Sequence, residues 1–103
     1  LGASWEGFWV EQIISLLKDS SQAYFFRTHA GAELDLILVR PGNRLVGVEI
    51  KYTTSPKITK SFSEAFTEAK CQRGYILYAG KERYPLAKNI IALPASQISE
   101  IVE

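Results

Sequence analysis

Four charged residues stand where the surrounding pattern calls for apolar side chains: Glu6, Asp35, Glu49 and Lys51. Glu49 and Lys51 lie two apart in VGVEIKYTTS (46–55), so on an extended strand they share a face, opposite Val46, Val48 and Ile50. In AELDLILV (32–39) the same alternation sets Leu34, Leu36 and Leu38 on one face, and Glu33, Asp35, Ile37 and Val39 on the other. Glu6 projects between Ile13 and Leu17, in the middle of the apolar arc of an N-terminal helix. Burying unpaired charges costs several kcal/mol each, so acids gathered beside a lysine need a partner. A hard divalent cation such as Mg²⁺ takes carboxylate and backbone oxygens and keeps several waters. A lysine beside it could hold a water or neutralise charge on a phosphoryl oxygen, and this combination suits phosphodiester hydrolysis.

Each signal also has an ordinary account. A Glu-x-Lys pair is often a cross-strand ion pair, and Glu6 near a helix start is favoured by the helix dipole. Asp35 and Glu33 could line the solvated face of an edge strand. The order of the four, a helix Glu, a strand Asp, then Glu-x-Lys across a turn, carries more than any one of them.

The elements that must position these residues follow from periodicity. Trp5, Trp9, Val10, Ile13, Ile14, Leu16 and Leu17 recur at helical spacing over 4–18, with Ser4 as the expected N-cap. QAYFFR (22–27), AELDLILV (32–39) and RLVGVEIKY (44–52) are predicted strands, and RPGN (40–43) supplies a hairpin turn between the last two. TTSPKIT is a loop, and KSFSEAFTEAK (60–70) a second helix with Phe62, Ala65, Phe66 and Ala69 on one side. GYILYAG (74–80) follows a helix and is expected parallel to the strand before it. NIIALP is a fifth strand and ASQISEIVE a last short helix. The expected fold is α/β with a mixed sheet, in the order α-β-β-β-α-β-β-α.

The 103 residues, 47% hydrophobic and 22% charged, suit one domain with one core. Twelve basic against eleven acidic residues give +1, without the basic excess of a dedicated nucleic-acid binder. With Glu6, Glu33, Asp35 and Glu49 committed to an internal site, however, the remaining surface would be distinctly basic. A single cysteine and the lack of a leader pattern favour a reducing, cytoplasmic setting, and no apolar run reaches the length of a membrane span. There is no Met, even at position 1, which fits a piece cut from a longer chain.

The order of charged residues within this arrangement resembles the PD-(D/E)XK nuclease superfamily, which includes type II restriction enzymes and archaeal Holliday-junction resolvases. More closely, GASWEGFWVEQI, YFFRTHAGAELDLIL, VGVEIKYTTSPK and ERYPLAKNIIALP look like the C-terminal nuclease-like domain of prokaryotic AAA-type ATPases. The resemblance implies a single restriction-endonuclease-like domain over 1–103, with an ATPase part upstream of Leu1. It implies Mg²⁺ or Mn²⁺ held by Asp35, Glu49 and the carbonyl of Ile50, and a water oriented or activated by Lys51. Glu6 would bind the metal through water, and DNA would be the substrate. A duplex-cutting member usually needs two sites, which a homo-oligomer would supply, but no residue of this sequence specifies one. Leu34 departs from the proline of the superfamily motif. The Gln-x-x-x-Tyr element of RecB-like members is absent, Gln72 and Tyr75 being only three apart. The rival expectations are a non-catalytic regulatory or partner-binding domain that retains the fold, and a nucleic-acid-binding module without cleavage. No phosphate-binding loop of the G-x-x-x-x-G-K-[ST] type occurs.

Other residues carry weaker signals. His29, in the loop leading to the Asp35 strand, could stand near the site, as could Glu33. Lys57 and Lys60 could touch phosphate or be merely solvated. Trp5, Trp9, Phe25 and Phe26 are expected in the core, and Cys71 as a buried residue at the end of a helix.

Overall fold

The computed structural model describes the backbone of residues 2–19 and 22–103, and the side chains of 5–19 and 22–103. Helix α1 (Gly2–Leu16) leads to strands β1 (Ala23–Arg27), β2 (Glu33–Arg40) and β3 (Arg44–Lys51), with a 3₁₀ turn, Pro41–Asn43, between β2 and β3. Helix α2 (Lys60–Glu68) follows, then β4 (Arg73–Tyr78), β5 (Tyr84–Ala87), β6 (Ile90–Pro94) and a 3₁₀ segment, Ala95–Val102. The six strands form one mixed sheet in the order β1-β2-β3-β4-β6-β5. β1, β2 and β3 are antiparallel neighbours, β3, β4 and β6 run parallel, and β5 returns antiparallel along β6. The α/β mixed-sheet expectation holds, as do the β2–β3 hairpin and the parallel β4.

The two faces of the sheet bury separate clusters. On one, Leu36, Leu38, Val48, Ile50, Leu77 and Leu93 meet Ile13 of α1 and Ile101 of the 3₁₀ segment, with Trp5, Trp9 and Val10 packed alongside. On the other, Leu34, Ile37, Ile76 and Ile90 meet Phe62 and Ala65 of α2, with Phe66 and Cys71 at the margin. Helix α2 starts at Thr59, whose hydroxyl accepts the Phe62 N–H at 3.1 Å, satisfying a donor with no partner inside the helix. The β2–β3 turn needs left-handed backbone at Gly42 (φ 79°) and Asn43 (φ 58°), which these two residue types adopt at low cost.

Several expectations are corrected. β5 was not expected from the sequence: it is a four-residue edge strand containing Pro85, and a proline is tolerated only where a ladder donor is not needed. The last helix is 3₁₀, interrupted at Gln97. α1 begins at Gly2, so Ser4 lies within the helix and not at its boundary. Phe25 is 73% exposed and does not belong to the core.

Candidate active site

The alternation on β2 breaks at Asp35. Tyr24 pairs with Ile37 but Phe26 pairs with Leu34, so Phe25 alone stands opposite the two residues Asp35 and Leu36. This is a β-bulge in β2, and it places Leu34 in the α2-side cluster while Leu36 and Leu38 remain in the α1-side cluster. The expected common face of Leu34, Leu36 and Leu38 is therefore divided. The β2–β3 pairing reaches Leu36 opposite Val48 and goes no further, so the two strands part at the bulge.

Where β2 leaves, side chains take over its role. The Ile50 N–H donates to Oδ2 of Asp35 at 2.8 Å, and the Tyr52 N–H donates to Oε2 of Glu6 at 3.3 Å. Ile50 and Tyr52 point their backbone groups to the same edge of β3, the edge that β2 has vacated. One carboxylate from the bulge and one from α1 thus satisfy successive donors along that edge. Glu6 is half-buried, as its inward projection predicts, and the ring of Trp5 lies 5.2 Å from that of Tyr52, pinning α1 against the end of β3.

Glu49, the residue before the Ile50 donor, makes a different environment. It is 8% exposed, and its Oε2 is buried with no hydrogen-bond partner. Burial pushes its carboxyl up from 4.5 to about 7; Lys51 opposes the rise, while Asp35 and Glu6 add to it. Asp35 is likewise raised, first by burial and then by Glu6 and Glu33, with the Ile50 N–H and Lys51 pulling the other way. Glu6 and Lys51 thus lie within charge–charge range of both Asp35 and Glu49, at the mouth where β2 and β3 separate. Lys51 is exposed there.

A divalent cation can be tested against this arrangement. In its favour are a buried carboxylate oxygen with no partner, a second carboxylate that spends one oxygen on a backbone amide, and the Ile50 carbonyl on the vacated edge of β3. All are hard oxygen donors of the kind Mg²⁺ takes, with room in its octahedron for water. Against a fully formed cage, no group of three His, Cys, Asp or Glu side chains converges on a common point among the described residues. The donors fit an ion held by two carboxylates and a carbonyl, not one enclosed by protein.

The remaining candidates fall outside this centre. Glu33 pairs with Arg27 across β1 and β2 on the surface. Lys60 pairs with Glu64 at 3.8 Å, and Lys57 and His29 are exposed loop residues. Burial raises the Cys71 thiol to about 11, which makes it an inert packing residue. Sequence reasoning missed the exposed Phe25, which lines a cavity of about 310 Å³ with Val10, Arg27 and Asp35. Phe25 lies on the edge strand β1, where few neighbours cover it, and an apolar side chain gives no local sign that it will stand at a sheet edge.

The sequence was compared with known proteins. Residues 1–98 match the family model described as a domain of unknown function, DUF4143. The chain belongs to this family. It is 44% identical over 98 residues to the uncharacterized protein Rv2008c of Mycobacterium tuberculosis and to the uncharacterized protein Mb2031c of Mycobacterium bovis. Those matches cover 95% of this chain but 22% of each relative, so the chain spans about a fifth of their length. No solved structure matches it. Among the described residues no helix is long and apolar enough to cross a membrane.

Proposed function

We propose that this DUF4143 domain is a metal-dependent nuclease domain that hydrolyses DNA phosphodiester bonds and is attached to an AAA-type ATPase in a longer chain. The observation that carries the reading is the partnerless, buried Oε2 of Glu49 beside the bulged Asp35. A core carboxylate without a partner is costly, and bulges recur next to active sites because they re-aim one side chain.

Asp35, Glu49 and the carbonyl of Ile50 would hold Mg²⁺ or Mn²⁺. Such an ion supplies Lewis-acid polarisation of a phosphoryl oxygen and lowers the pKa of bound water. Asp35 keeps its orientation through the Ile50 N–H, which leaves its second oxygen for a ligand. Glu49 serves as a ligand only when ionised, and Lys51 favours that form. The exposed Lys51 ammonium would orient the attacking water or neutralise charge on the phosphoryl group. Glu6, held by the Tyr52 N–H, would steady a water of the ion's shell. Attachment to an ATPase rests on the sequence resemblance and on the much greater length of the mycobacterial relatives.

A second reading has its own observation. Two of the three acids already hold backbone amides, and no three-ligand cluster forms among the described residues, as in a charged network that serves only to end the β2–β3 pairing. The domain would then bind a partner without cleavage. Calorimetry with Mg²⁺ and Mn²⁺ on the wild type and on Asp35→Asn, with labelled DNAs of several structures incubated alongside, separates the two. Metal binding and metal-dependent nicking, both lost in Asp35→Asn, are expected. No binding at millimolar metal, with Asp35→Asn as stable as wild type, would leave the structural network.

A further inference from the structure

At the opposite end of the sheet, three arginines from three adjacent strands line one cavity of about 430 Å³: Arg40 at the end of β2, Arg44 at the start of β3 and Arg73 at the start of β4. Arg40 and Arg44 are direct register partners, and Arg73 is paired with Val46, two residues along from Arg44. Like charges directly opposite on a sheet are destabilising unless something neutralises them.

The carboxylates at hand do so only in part: Glu100 feels the charge of Arg73 without an ion-pair contact to it. Glu100 lines the cavity but is taken by Arg83, which donates to it through Nε and Nη2, both at 2.7 Å, and it also accepts the Tyr75 hydroxyl at 3.1 Å. Glu103 is the one other acid in the lining, against three guanidinium groups. The arginines are positioned by neutral groups. Arg40 donates to the Val102 carbonyl, Arg44 to that of Pro41 at 3.2 Å, and Arg73 to the Tyr75 hydroxyl at 3.2 Å while lying over its ring. These contacts orient the cations without cancelling their charge. Nε of Arg40 is buried with no hydrogen-bond partner, an independent sign of a missing acceptor.

We infer that this cavity is an anion site, in which Arg40, Arg44 and Arg73 bind a phosphate group. Guanidinium forks match phosphate oxygens in pairs, and convergence of several suits a multiply charged oxyanion. Tyr75 is buried and covered by Arg73, so the site offers no platform for a base and recognises the phosphate alone. Arg44 and Lys51 stand at opposite ends of β3, roughly 23 Å apart along the strand, so this site is separate from the Asp35 centre and does not depend on it.

Calorimetric titration with pyrophosphate, with a short single-stranded oligonucleotide, and with a polyglutamate peptide tests the inference on wild type, Arg44→Glu and Asp35→Asn. Pyrophosphate is expected to bind the wild type and Asp35→Asn alike, and Arg44→Glu roughly tenfold or more weakly, as loss of charge-assisted hydrogen bonds implies. Arg44 is exposed, so the variant should keep the wild-type amide spectrum by NMR. Oligonucleotide binding that competes with pyrophosphate and falls in Arg44→Glu would name a phosphodiester chain as the source of the phosphate. Pyrophosphate binding without it would name a free phosphate compound. Equal pyrophosphate affinity in wild type and Arg44→Glu, no binding at millimolar concentration, or binding of polyglutamate alone would overturn the assignment.

Discussion

Glu49→Gln tests the central claim about the site, because it removes the ionisation and nearly preserves the shape. In the folded chain the Glu49 carboxyl is raised from 4.5 to about 7, chiefly by burial. The native state therefore holds its proton more tightly than the unfolded state. Across the window from 4.5 to about 7 the native form carries the extra proton, so stability falls as pH rises and levels off once both states are ionised. At roughly 1.4 kcal/mol per pH unit, the change amounts to about 3 kcal/mol. Lys51, Asp35 and Glu6 all act on this group, and their effects are already contained in the shift. Urea unfolding at a series of pH values from about 5 to 8 should show the wild type losing stability relative to Glu49→Gln, the gap opening by about 3 kcal/mol. The raised Asp35 contributes a loss of the same sign in both proteins, so most of it drops out of the difference between them. Millimolar Mg²⁺ favours the ionised carboxylate if it binds there, and should restore wild-type stability at the alkaline end while leaving the variant unmoved. Parallel profiles for the two proteins would refute the buried, partnerless Glu49 on which the functional reading stands.

Two further predictions concern the scaffold that holds the site. A Cβ at Gly74 would stand 2.9 Å from Phe66 and 3.1 Å from Phe62, so Gly74→Ala overpacks the α2–β4 contact and should cost about 1–3 kcal/mol in chemical denaturation. Thr59→Ala removes the cap of α2 and should cost about 1 kcal/mol, lowering the thermal midpoint by roughly 4–8 °C, with Thr59→Ser recovering most of it.

Much of the fold was legible because the local signals agree with one another. The apolar runs of β3 and β4, the RPGN turn and the Phe62, Ala65, Phe66 face of α2 each point to the element observed. β5 was hidden because Pro85 argues against a strand, and only its place at the sheet edge makes the proline harmless.

For the candidate site, the sequence alone determined which charges interrupt the apolar pattern, since each interruption is visible within its own segment, but not the strand face at Asp35, which the bulge changes. It thereby nominated Glu6, Asp35, Glu49 and Lys51 together. Only the tertiary structure decided how each is used. The bulge opposite Phe25, the vacated edge of β3, the amides given to Asp35 and Glu6, and the unmet oxygen of Glu49 all depend on where neighbouring strands stop pairing. The same holds for the three arginines, which are scattered between 40 and 73 in the chain and meet only because β2, β3 and β4 are neighbours in the sheet. Periodicity is a property of one segment, whereas pairing and its interruption belong to several segments at once, and no single segment encodes them.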